Sequence, residues 1–201
     1  MTAPTPSVIT VRLDGVDLNR WIWVPHAWPY EGFTDPRGWA DAAAKRVARR
    51  SGFAFVKRAA LRDDLIEMSR SRDSVGAHWT VAYAPDLSRP ARIARIEVHD
   101  SRVGTYRSLE QFMQLDTPGL EGPPVVEPFV SPHLGEGITA IMHQRNTDRT
   151  LSAVRSYGWT LPTCWVSMYY ADFDLGLMER LRPEFDALAR ALQVDEQVVD
   201  S

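Results

Sequence analysis

Four strand-like segments lie close together in the second half of the chain, at about 125–130, 137–146, 150–159 and 163–171. Only a few residues separate each from the next. Parallel neighbours need a crossover of a dozen or more residues, usually a helix. Connections this short predict an antiparallel meander. With the helical periodicities found elsewhere, the meander places the chain in the α+β class, an antiparallel sheet of about six to eight strands flanked by helices.

The first half alternates strands and helices. Val8 to Leu13 alternates Val8, Thr10 and Arg12 with Ile9, Val11 and Leu13, a strand pattern closed by Asp14-Gly15. Trp21–Val24 reads as a second strand, ended by Pro25, which lacks the amide that a ladder needs. Asp35 suits a helix N-cap and Pro36 the first helical position. Trp39, Ala43 and Val47 then recur at helical spacing, and Arg49, Arg50 and Gly52 suit the end of that helix. A second amphipathic helix is predicted over 57–72, with Leu61, Leu65 and Met68 on one face. Residues 77–84 and 91–99 alternate cleanly and predict a β-hairpin. Ser108 with Gln111 resembles a capping box that opens a short helix through Leu115. After the meander, Leu177, Leu181, Phe185, Leu188 and Leu192 predict a helix with one buried face. Pro183 sits inside it and predicts a kink or break near Arg182.

A chain of 201 residues favours a single domain spanning 1–201. Residues 1–6 read as a disordered leader. The stretch 116–124, rich in Gly and Pro, marks a subdomain junction if two subdomains exist. Cys164 is the sole cysteine, so no internal disulfide can form, and its apolar setting suggests packing. The N-terminus has no signal-peptide pattern and no window approaches a transmembrane helix, which points to a cytoplasmic protein without membrane attachment. The formal net charge of −3 argues against a dedicated nucleic-acid binder.

Catalytic signatures are missing: there is no phosphate loop, no dinucleotide fingerprint, no nucleophile elbow and no paired-cysteine motif. The five histidines, His26, His78, His99, His133 and His143, lack metal-ligand spacing, so neither a metal nor a cofactor is expected. His78 and His99 alternate with core positions and are expected at the surface or at a sheet edge. If the chain is an enzyme, the candidates are His133, His26 and Asp172. His133 lies in the loop Ser131-Pro132-His133-Leu134-Gly135-Glu136-Gly137, whose glycines supply positive φ for a turn or bulge. Asp172 and Asp174 flank Phe173, and Asp174 suits the N-cap of the last helix.

Two features suggest binding. Residues 42–62 contain Lys45, Arg46, Arg49, Arg50, Lys57, Arg58 and Arg62 and no acid. Such a run is either a solvated helix face or a docking patch for an acidic partner or for phosphates. Trp21, Trp23, Trp28, Tyr30, Phe33 and Trp39 cluster in sequence, and Trp28, Tyr30 and Phe33 lie in the 25–35 loop, as core, as a lid, or as the wall of a small-molecule pocket.

From Val125 onward the pattern resembles actinobacterial proteins of the Mog1/PsbP-like α/β/α class. The resemblance rests on Glu127-Pro128-Phe129, the 131–137 loop, Tyr157-Gly158-Trp159, the Trp165–Tyr170 strand, Asp172-Phe173-Asp174-Leu175-Gly176 and the helix containing Pro183. It covers about a third of the chain and carries no catalytic signature. It implies a sandwich of an antiparallel sheet between helices and an accessory role, as adaptor or chaperone, through protein–protein contacts. Three readings follow: a non-catalytic binding protein with a protein partner; a small-molecule binder or enzyme under the 25–35 loop; and nucleic-acid binding through 45–62. Self-association stays open.

Overall fold

A computed structural model of the chain describes residues 7–51, 55–71, 77–103, 105–146 and 148–198. In chain order these form β1 (Ser7–Leu13), β2 (Trp21–Val24), α1 (Pro36–Ser51), α2 (Phe55–Arg70), β3 (Ala77–Tyr83), β4 (Arg92–Asp100), α3 (Leu109–Phe112), β5 (Val125–Ser131), β6 (Gly135–Arg145), β7 (Leu151–Thr160), β8 (Cys164–Asp172), α4 (Leu175–Ala191) and β9 (Leu192–Val198). The fold is α+β. A seven-stranded sheet has the order β2-β3-β4-β8-β7-β6-β5, and β1 pairs with β9 in a separate two-stranded sheet. The predicted meander is β5 to β8. The predicted leader, residues 1–6, and Gly52 lie outside the described residues.

The chain divides into two compact units. One comprises the described residues of Asp17–Glu97 together with Tyr169–Ala171, and the other comprises the described remainder, in which the 116–124 stretch is internal.

In the first of these units, the start of α1 follows from its cap. The Asp35 carboxylate accepts the amide hydrogens of Arg37 at 2.8 Å and Gly38 at 3.0 Å, satisfying donors that the first turn leaves orphaned. Those bonds, Gly38's foremost, hold the carboxyl below its ordinary value. Trp39, Ala43 and Val47 from α1 meet Leu61 and Leu65 from α2 and Ile22 and Val24 from β2 in one buried cluster. Leu65 and Val47 are wholly buried, and each such side chain contributes about 1.5–3 kcal/mol of hydrophobic stabilisation.

In the other unit, β5, β6 and β7 pair antiparallel, with Phe129 opposite Gly137 and Gly137 opposite Trp159. The Phe129 ring meets Tyr157 at 5.0 Å and Trp159 at 5.9 Å, edge on. Gly137 is required here for clearance. A β-carbon at that position would lie 2.4 Å from the Gly158 carbonyl oxygen and 2.5 Å from the Trp159 ring. The expectation of positive φ in this loop holds for Gly135, at φ 78°, and not for Gly137. The opposite sheet face is covered by Met113 and Leu115, packed on Ala140 and Met142.

Three expectations are corrected. Helix α3 ends at Phe112, and Met113 caps it, so the segment through Leu115 is a turn. The last helix runs unbroken from Leu175 to Ala191 with Pro183 inside. Pro183 removes one backbone hydrogen bond, but it is exposed and buried Leu177, Met178, Phe185, Leu188 and Ala189 anchor the helix on both sides of it. Leu192 leaves the helix to start β9, whose register with β1 runs from Leu13↔Leu192 to Ser7↔Val198.

Candidate functional site

The basic segment falls on the packed pair α1 and α2. Asp41, one position before the acid-free run, gathers its cations. Lys45 bonds it at 2.8 Å and the Arg58 guanidinium lies at 4.0 Å. The Lys45 hydrogen bond above all, with the charges of Lys45, Arg58 and Arg62, keeps the Asp41 carboxyl below its ordinary value. Cations from both helices therefore share one surface. Arg50 donates to the Asn19 carbonyl, a neutral acceptor that leaves its charge in place. Arg46, Arg49 and Lys57 are exposed. Arg62 pairs with Asp63 at 2.7 Å. Lys45, Arg58 and Arg62 thus surround Asp41, and Arg46, Arg49, Arg50 and Lys57 add exposed or neutral-paired positive charge along the same two helices. Arg49 and Arg50, in the last turn, also complement the helix dipole.

The aromatic loop packs on the α1 side of its unit. Trp28, Tyr30 and Phe33 are half-buried against the cluster formed by α1, α2 and β2. Trp28 meets Trp39 with ring centroids 6.2 Å apart. Tyr30 and Phe33 bond each other's backbone, at 3.0 and 2.8 Å, across a tight turn. Burial, reinforced by the Glu31 charge, pushes the Tyr30 hydroxyl up to about 12. His26 bonds the Thr80 hydroxyl at 2.9 Å, and Ser69 donates to the Pro25 carbonyl at 2.9 Å. These contacts tie the start of the loop to β3 and α2.

The remaining candidates are dispersed. His133 is exposed, and its Nε2 lies 3.5 Å from the Gln193 side-chain nitrogen. Its backbone amide and that of Leu134 both donate to the Ser131 hydroxyl at 3.3 Å, which shapes the turn. Asp172 accepts the amide of Asp174 at 2.9 Å, and Asp174 accepts that of Leu177 at 2.8 Å as the N-cap of α4. Both carboxylates thus serve the helix start. His26 belongs to one unit, and His133 and Asp172 to the other. Cys164 is buried. Among the described residues no group of three or more His, Cys, Asp or Glu could hold a metal ion, and no helix is long and apolar enough to cross a membrane.

Sequence reasoning missed two arrangements. His99 is half-buried rather than at the surface or a bare edge, because it joins a ring cluster with Tyr106, Phe112 and Trp165. Its centroid lies 4.9, 5.9 and 6.1 Å from those rings. The connection between β4 and α3 supplies Tyr106, α3 supplies Phe112 and β8 supplies Trp165. The second is a charged lattice under α4. Arg155, 4 % exposed, bonds Glu179 at 3.0 Å. Arg182 bonds Glu127 at 2.9 Å, and Tyr157 donates to Asp186 at 2.6 Å. Its signal was the alternation Ala153, Arg155, Tyr157, Trp159, which sets an arginine on an inward face.

Comparison with known protein families and with curated proteins finds no match for the chain.

Proposed function

We propose that this is a non-catalytic accessory protein, an adaptor or chaperone, that docks an acidic protein partner through the basic face of α1 and α2. The observation that carries the reading is the convergence of cations from two helices on one surface, with Asp41 lying among Lys45, Arg58 and Arg62. Such a surface steers an oppositely charged partner and fixes its orientation. The reading agrees with the accessory role implied by the resemblance of the second half to the Mog1/PsbP-like class. A cytoplasmic setting belongs to the same reading.

The test is a quantitative mass-spectrometric pull-down from host extract with the native chain and with Arg46→Glu/Arg49→Glu. Both side chains are exposed, so the variant keeps the fold. A dominant acidic partner should bind roughly tenfold more weakly to the variant, from about 0.7 kcal/mol per reversed charge. Its retention on the native chain should fall with added salt. A partner held equally by both baits, or none held by either, refutes the reading.

A further inference from the structure

Helix α2 places Lys57, Ala60, Leu61 and Asp64 on one side, at positions i, i+3, i+4 and i+7. The segment 87–91, which follows β3, runs beside it. Between them lies a cavity of about 200 Å³ lined by these residues and by Leu87 and Arg89, among others. Its floor is apolar, since Leu61 and Leu87 are buried members of the core cluster.

The two ends of the groove carry opposite charge. The Ser88 hydrogen bonds above all, and then the charges of Arg89 and Lys57, hold the Asp86 carboxyl below its ordinary value, so both groove-lining cations stand near it. Asp86 is itself engaged, accepting the Ser88 amide at 2.6 Å. Asp64 lies seven residues further along α2, roughly 10 Å along the axis at about 1.5 Å per residue. The charges of Glu67 and Asp63 bear on it, and no cation does among the described residues, so that end is negative. Asp64 is also partly withdrawn from water, which leaves its carboxylate in need of donors.

We propose that this groove binds a short peptide as a zwitterion, with the α-ammonium at Asp64, the terminal carboxylate at Lys57 and Arg89, and an apolar side chain on Leu61 and Leu87. Length supports the assignment. An extended tripeptide spans about 10 Å from nitrogen to terminal carboxyl, at about 3.3–3.6 Å per residue. A single amino acid cannot reach both ends. The site goes beyond the docking of an acidic protein and does not rest on it. Lys57 is common to both surfaces, whereas Asp64 and Ala60 belong to the groove alone.

The test is a methyl NMR titration of the full chain with Ala-Leu-Ala, with its N-acetyl, C-amide and doubly capped forms, and with free leucine. Ala-Leu-Ala should shift the methyl signals of Leu61 and Leu87. Each cap should weaken binding roughly tenfold, the loss of one charge-assisted contact, and leucine should bind more weakly still. Asp64→Asn should cost the free peptide that same factor and cost the acetylated peptide nothing further, since the contact is already absent. Ala60→Trp, which fills the groove from an exposed position, should abolish the shifts. Equal binding of free and doubly capped peptide, an unchanged affinity in Asp64→Asn, or no methyl shift at millimolar peptide overturns the proposal. None of these results bears on the pull-down, whose variants touch only Arg46 and Arg49.

Discussion

Replacing Gly137 by alanine puts a methyl group where the fold has no room for one. The new carbon would sit 2.4 Å from the Gly158 carbonyl oxygen and 2.8 Å from the Trp159 indole nitrogen. The oxygen belongs to the β7 backbone, so it cannot retreat without disturbing the ladder. The indole is wholly buried and wedged by Phe129. Overpacking a closed site costs about 1–3 kcal/mol, and these neighbours place Gly137→Ala at the upper end. The reduced freedom of the unfolded chain returns about 0.4–1 kcal/mol. The expected net loss is about 2 kcal/mol, or roughly 4–8 °C in Tm for a chain of this size. Two glycines serve as controls. At Gly158 the obstruction is the Met113 sulfur at 2.2 Å, the end of a flexible side chain, so Gly158→Ala should cost less. At Gly135 the space is open but φ is 78°, so Gly135→Ala should cost about 1 kcal/mol in backbone strain alone. Urea unfolding followed by tryptophan fluorescence measures all three. If Gly137→Ala proves no costlier than Gly135→Ala, the clearance argument fails.

Three further outcomes are expected. Glu179→Ala should destabilise by about 1–3 kcal/mol, because it strands the buried Arg155 guanidinium, and adding Arg155→Met should restore part of the loss in urea titrations. Asp174→Ala should cost about 1 kcal/mol as a lost N-cap, visible as a lower thermal midpoint in circular dichroism. Burial above all, then Glu67 and Asp63, holds the Asp64 carboxyl above its ordinary value. The native chain therefore keeps that proton longer than the unfolded chain, and stability falls as pH rises from about 3.9 through the raised value. Asp64→Asn should accordingly raise the urea midpoint at neutral pH, with the gap to the native chain closing in acid.

Local chemistry explains what was legible beforehand. Asp35-Pro36 marked the start of α1 because capping and a fixed φ act within a turn, and Pro25 ended β2 for an equally local reason. The meander was legible because short connections leave one topology. Leu192 misled because it continues the four-residue step from Leu188, and only the distant partner Leu13 turns it into strand. Pro183 misled because packing on both sides of it outweighs one lost hydrogen bond. Gly137 was read as a turn glycine because its obstruction, Trp159, arrives from another strand. The basic segment was legible as a run, but Asp41, the acid its cations gather around, lies just outside it in sequence and is joined to Arg58 only by the packing of α1 on α2. The groove shows the same division. The spacing of Lys57, Leu61 and Asp64 is written in the sequence, whereas Arg89 reaches them only because β3 returns the chain to α2.

The ladder between β1 and β9 has a consequence for biosynthesis. β1 leaves the ribosome long before its hydrogen-bonding partner in the finished fold, which begins at Leu192. At about 5–20 residues per second, a nascent chain waits roughly 10–40 s between the two. For that interval the alternating Ile9, Val11 and Leu13 must remain without their native ladder. Pairing then closes a very long loop, which makes it a late step in folding. Nascent chains arrested before β9 should therefore leave β1 open to proteases or to a chaperone, well after the α1–α2 pair has emerged.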